Sequence, residues 1–158
     1  MPLFHISSHQ FKVGDVVQRG RWGNALRTYQ FDAGSPDGAY KGWRLASELL
    51  LEQVRRDIAP HLPSRWGCTF AIADRAQAIA QMPLWTSGPK LYEVELVIPG
   101  AATHVADWHL LSGPIRFNPS APFVALNEHL AKEYWTPVAA LQMPEMLCAS
   151  DLRVTVIL

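Results

Sequence analysis

Neither sign of charge is in excess in this chain: 14 Lys and Arg stand against 14 Asp and Glu in 158 residues. Without a net field, the protein as a whole is not drawn to DNA, RNA or anionic lipid. No dedicated nucleic-acid-binding surface is expected, and Arg19, Arg21 and Arg27 make only a modest basic patch. Cysteine is scarce. Cys68 and Cys148 are too far apart for a metal-ligand spacing and are expected as two buried thiols in a reducing compartment. No stretch approaches the ~18 consecutive apolar residues of a membrane span, and the N-terminus lacks a basic region followed by an apolar run. A cytoplasmic protein with no membrane partner is expected, although a toxin domain cut from a longer secreted polypeptide would read the same way.

Common catalytic signatures are absent too. There is no glycine-rich phosphate loop ending in Lys-Ser or Lys-Thr, no G-x-S-x-G, no H-E-x-x-H and no C-x-x-C. His104 and His109 flank Asp107, but that spacing is not a recognised ligand set, so no metal is expected.

What is present is an ordinary globular composition, 49% hydrophobic and 18% charged, read as a single domain over residues 1–158. Leu3 to Ser7 reads as an apolar strand around His5, and Phe11 to Val17 follows with a turn at Gly14–Asp15. The segment from Arg19 to Gly42 reads as a long loop with "GSPDG" as its turn. Trp43 to Ala59 reads as a helix with Leu45, Leu49, Leu50, Val54 and Ile58 on its apolar side, and Glu48, Glu52, Arg55 and Arg56 on other faces. "CTFAIA" reads as a strand. Asp74 with Gln77 forms a capping box opening a helix to about Met82. "KLYEVELVI" is the clearest strand, with Tyr92, Val94 and Leu96 on one face and Glu93 and Glu95 on the other. A helix over Val124 to Trp135 and a closing strand "LRVTVIL" complete an α+β chain with a mainly antiparallel sheet.

A histidine on a strand, a Glu-x-Glu pair or a tryptophan is, taken singly, usually structural. Their order carries more. "FHIS" and "VGD" come first, then "TFAIADRAQAIA" runs from strand into helix. "LYEVEL" follows, and about a dozen residues later Asp107 lies in "HVADWHLL". Pro63-Ser64-Arg65, Ala106-Asp107-Trp108 and Tyr134-Trp135 add further short matches. This series resembles the compact ADP-ribosyltransferase fold of the rifamycin ADP-ribosyltransferases and a related group of uncharacterised bacterial proteins.

The resemblance implies two small, mainly antiparallel sheets flanked by short helices, with NAD bound as substrate in a cleft between them. It implies an NAD-dependent ADP-ribosyltransferase of the glycosyltransferase class, in which nicotinamide leaves a ribose that passes through an oxocarbenium-like state. Asp107 is then the stabilising carboxylate, with Glu95 in reserve, because Glu-x-Glu marks the catalytic strand of arginine-modifying relatives. His5 holds a ribose hydroxyl. The family carries an aromatic on the second strand, where this chain has Thr69 and Phe70; Tyr29, Tyr92 or Trp85 are other candidates to stack on nicotinamide. Ser7 and Ser8 are candidates for ribose or phosphate, and Arg65 and Arg21 for the pyrophosphate. Two readings stand beside the enzyme: an inactive nucleotide- or protein-binding relative, and an RNA 2′-phosphotransferase-like activity. The acceptor of the ADP-ribose, whether protein, nucleic acid or small molecule, is not specified by the sequence.

Overall fold

Alternation of apolar and polar side chains builds most of the framework. The computed structural model describes residues 2–30, 34, 37–85, 88–138 and 140–158. The strands are β1 (Leu3–Ser7), β2 (Val16–Val17), β3 (Thr69–Ala71), β4 (Lys90–Leu96), β5 (Thr103–Asp107), β6 (Pro144–Cys148) and β7 (Leu152–Ile157). The helices are α1 (Arg21–Arg27), α2 (Gly38–Ile58), α3 (Arg75–Gln81), α4 (Gly113–Arg116) and α5 (Phe123–Trp135). Short 3₁₀ turns follow α3 and β5, over Met82–Leu84 and Trp108–Leu111.

The fold is α+β with two antiparallel sheets. One has the order β1-β4-β7-β2 and the other β3-β6-β5. They join at two places. Phe4 and Ile72 exchange backbone hydrogen bonds of 2.8 Å, tying β1 to the chain just after β3. Three residues, 149–151, then carry the chain from β6 in one sheet to β7 in the other. At that crossing the Thr69 hydroxyl donates to the Ser150 carbonyl at 2.7 Å, and Ser150 Oγ accepts from the Ile98 N–H at 2.9 Å. A buried crossing needs such partners, because unpaired backbone polar groups are costly away from water.

The apolar faces close three core clusters. Leu51, Val54, Tyr134, Trp135 and Leu147 pack α2 and α5 against the smaller sheet. Tyr92, Val94, Leu152 and Val154 fill one face of the larger sheet, and Phe4, Ile6 and Leu91 pack with Ala78 of α3. Both cysteines are free and buried in these layers, and burial raises the Cys148 thiol to about 11, so neither is a ready thiolate.

β1, the Asp74 N-cap of α3, β4, α5 and β7 form where the sequence predicts them; Asp74 accepts the Gln77 N–H at 2.8 Å, the half of the expected capping box that is made. Two expectations are corrected. The loop over Arg19 to Gly42 contains α1 and the start of α2, although Ser35 and Pro36 of "GSPDG" lie outside the described residues. In Phe11 to Val17 the expected turn at Gly14–Asp15 forms, with Gly14 at φ 93°, and the strand is confined to Val16–Val17 beyond it.

The buried stripe of α2 also differs. Ser47, Glu48, Leu51 and Val54 face inward, whereas Leu49 and Ile58 are exposed. The Ser47 hydroxyl donates to Asn127 Oδ1 at 2.8 Å, and the Trp135 indole donates to the Leu51 carbonyl at 2.8 Å. These contacts with α5, and the ion pairs of Glu48 described below, fix the rotation of α2 against the local apolar pattern.

α1 approaches the turn at Ser64–Gly67 so closely that a Cβ on Gly23 would lie 2.0 Å from the Trp66 carbonyl oxygen. Gly23→Ala should therefore destabilise the fold by about 1–3 kcal/mol, an overpacking cost. On an open helix the same change would stabilise it by roughly 0.5–1 kcal/mol. The sign of the shift in urea midpoint decides whether α1 packs this tightly.

Candidate functional site

A cavity of about 700 Å³ lies at the junction of the two sheets, within the size range of small-molecule sites. β1 contributes His5 and Ser7, β3 contributes Thr69 and Phe70, and β6 contributes Glu145. Arg21, Trp22 and Arg44 come from α1 and α2, while Trp85 follows the first 3₁₀ turn and Trp108 opens the second.

His5 stands at the seam because β1 alternates: Phe4 and Ile6 are buried in the core, and His5 lies on the other face. Its Nδ1 is 2.8 Å from the Phe70 carbonyl oxygen. A carbonyl only accepts, so Nδ1 carries the proton and Nε2 keeps its lone pair. Burial, aided by the nearby positive charge of Arg21 and opposed by the Phe70 carbonyl, lowers the pKa of His5 below its ordinary value of 6.5. The ring is thus a neutral acceptor with a fixed tautomer.

Glu145 is the acid of this cavity. It is 8% exposed on a strand that is otherwise Pro, Met, Leu and Cys. The Arg65 guanidinium and the Tyr134 hydroxyl, the latter at 2.8 Å, both donate to its Oε1. Oε2 has no hydrogen-bond partner among the described residues. Burial raises the pKa of Glu145 above the ordinary carboxylate value, outweighing the pull of Arg65 and Tyr134.

Behind it lies a buried ionic network. Glu48, 1% exposed, accepts from Arg65 Nε and Arg116 Nη1 at 3.3 and 3.2 Å, and from the Trp22 indole at 3.3 Å. Burial works against its charge, but the two guanidiniums hold its carboxyl below the ordinary value. Arg65 and Arg116 are thereby matched by Glu145 and Glu48.

The sequence-derived candidates separate cleanly on this geometry. His5, Ser7, Arg65, Thr69 and Phe70 all line the cavity, as do Arg21 and Trp85. Two of them are already engaged: the Thr69 hydroxyl holds Ser150, and Arg65 holds Glu48 and Glu145 while lying over the Phe70 ring at 4.8 Å. Asp107 is not among the cavity-lining residues. Its carboxylate accepts backbone N–H groups from His109, Gln142 and Met143 at 3.0, 2.9 and 2.9 Å, clamping the end of β5 to the start of β6. Glu95 is exposed on β4, pairs with Arg153 across the sheet at 3.2 Å, and lies outside the cavity lining as well. Tyr92 is fully buried, its hydroxyl donating to the His9 carbonyl and accepting from Phe11, the Tyr29 hydroxyl donates to the Gly38 carbonyl, and neither residue lines the cavity.

Sequence reasoning missed Glu145, Arg44, Trp22 and Trp108. The signal for Glu145 was the one that singled out His5, an ionisable residue inside an apolar strand. Asp107→Ala is expected to cost about 2–3 kcal/mol in urea unfolding, because it strips the acceptor from three backbone donors at a strand end. A stability loss below ~0.5 kcal/mol would show that this clamp is idle.

Among the described residues no group of three or more His, Cys, Asp or Glu is placed to hold a metal ion, and no helix is long and apolar enough to cross a membrane. No curated protein matches the chain. Residues 7–158 match the family described as "Protein of unknown function (DUF2441)", and the chain, with its two sheets and the cavity at their junction, belongs to that family.

Proposed function

We propose that this protein is an NAD-dependent ADP-ribosyltransferase, releasing nicotinamide and passing ADP-ribose to an acceptor. One observation carries the reading: a neutral, tautomer-fixed histidine and a carboxylate with one oxygen unpartnered among the described residues line the same cavity between two sheets. The reaction asks for that pair. As the glycosidic C–N bond breaks, its electrons leave with the nicotinamide nitrogen, and positive charge develops on the ribose. Glu145 Oε2 stabilises that charge from a buried position where electrostatic effects are strong. His5 Nε2 accepts a hydrogen bond from a ribose hydroxyl and fixes the sugar. Attack by the acceptor, or by water, then forms the new bond at the anomeric carbon. The raised proton affinity of Glu145 suits it to take the proton that the nucleophile loses. Phe70, Trp22, Trp85 and Trp108 supply aromatic walls for the planar rings.

Glu145 takes the role that the sequence resemblance assigned to Asp107 or Glu95, since neither of those lines the cavity. The test is nicotinamide release from NAD by the purified protein with no acceptor added. Slow turnover supports the enzyme. Binding of NAD without turnover supports an inactive nucleotide-binding relative, and turnover only with 2′-phosphorylated RNA supports the phosphotransferase. A protein that neither binds nor cleaves NAD removes the reading.

A further inference from the structure

The charges around the cavity do not cancel. Arg65 and Arg116 are matched by Glu48 and Glu145. Arg21 and Arg44 also line the cavity or its wall, yet neither has a carboxylate partner among the described residues. Arg44 is held in place without one. Its guanidinium lies 4.4 Å from the centroid of the Trp22 ring, and Trp22 is itself anchored through its indole N–H to the buried Glu48. Stacking on an aromatic face positions a guanidinium and leaves its edge free to donate.

Arg44 Nε is buried and has no hydrogen-bond partner among the described residues. A buried donor left unmade is unfavourable, so an arginine kept this way is a structural cost that a ligand acceptor would remove. Arg21 opens α1 directly before Trp22, and its charge is felt at His5. Two cations without carboxylate partners among the described residues, Arg44 stacked on Trp22 and Arg21 exposed, therefore line the cavity that holds His5.

We propose that Arg21 and Arg44, with Trp22 as the platform, form a subsite for the diphosphate group of a dinucleotide. Two guanidiniums match the two negative charges of a diphosphate, and their forked donors suit its oxygens. This deepens the NAD reading and rests on it for the identity of the ligand. It also separates Arg44 from Arg65, whose Nε donates to Glu48 and whose Nη1 donates to Tyr134 and Glu145, so that its charge is matched by carboxylates.

The test is calorimetric titration of the full chain with inorganic pyrophosphate and, separately, with NAD. Wild type is compared with Arg44→Gln, Arg44→Lys and Arg21→Gln, and with Arg153→Gln as a distant arginine control. Thermal unfolding checks that each variant is folded. Pyrophosphate binding is expected to weaken roughly 10–100-fold in Arg44→Gln, less in Arg44→Lys, and not in Arg153→Gln. It should also weaken as salt is raised. Pyrophosphate that does not bind wild type, or that binds Arg44→Gln and Arg21→Gln as well as wild type, overturns the subsite. If pyrophosphate binding depends on Arg44 but NAD is neither bound nor cleaved, the subsite stands and the NAD reading falls. If NAD is cleaved with the same KM in Arg44→Gln, the NAD reading stands and the subsite falls. Arg44→Lys carries the comparison if the glutamine variant does not fold.

Discussion

Glu145→Gln is expected to lower nicotinamide release from NAD by roughly 10²–10³-fold, the scale of losing one preorganised electrostatic group at a reacting centre. The amide retains an oxygen to accept from Arg65 and Tyr134, so the side chain keeps its place. On the proposed reading, what disappears is the negative charge that faces the developing oxocarbenium and the base that takes the nucleophile's proton. Glu95→Gln removes an equal charge from the exposed pair with Arg153 and is expected to leave the rate unchanged. A loss of turnover in Glu95→Gln with Glu145→Gln fully active would reverse the assignment. The pH profile adds a second reading of the same group. Because burial raises the pKa of Glu145, activity is expected to fall on acidification at a pH above the ordinary carboxylate value of 4.5. That acid limb should vanish in whatever activity Glu145→Gln retains.

The largest effect on stability is expected from Glu48→Ala, at about 3–5 kcal/mol in urea unfolding, the usual result of removing one partner from a buried ion pair. Glu48 is shared by Arg65 and Arg116, and it holds the Trp22 indole. Its loss strands Arg116, which is 4% exposed and has no other carboxylate among the described residues. Replacing both members by apolar residues of similar size, Glu48→Leu with Arg116→Met, is expected to recover much of the loss, because no isolated charge then remains buried. A cost below ~1 kcal/mol for Glu48→Ala would mean that the network is solvated. The two carboxylates also give opposite pH dependences. The pKa of Glu48 is lowered on folding, so its stabilisation is present above the ordinary value of 4.5 and is lost as pH falls through the folded value. The pKa of Glu145 is raised, so its contribution is present below 4.5 and is lost as pH rises through the folded value. Folding against that cost is what places a proton-accepting carboxylate in the cavity.

Local chemistry alone determined much of this protein. Alternation fixed β1 with His5 on the face opposite Phe4 and Ile6, Asp74 began α3 by accepting the Gln77 N–H, and Tyr92, Val94 and Leu96 marked β4. These features depend on neighbours a few residues away, so they survive in a one-dimensional reading. The face of α2 did not, because Glu48 looks like a solvent residue until Arg65 and Arg116, 17 and 68 positions away, arrive beside it. The same is true of the two acids. Asp107 sat in the expected motif, but backbone N–H groups 35 and 36 residues on claim its carboxylate. Glu145 sat in no motif and acquired its place when β6 paired with β3 and brought it to the cavity that also holds His5. Period-two burial and helix capping are local forces, and the sequence carries them openly. Which carboxylate is spent on structure and which keeps a free oxygen depends on partners that only the folded chain brings together.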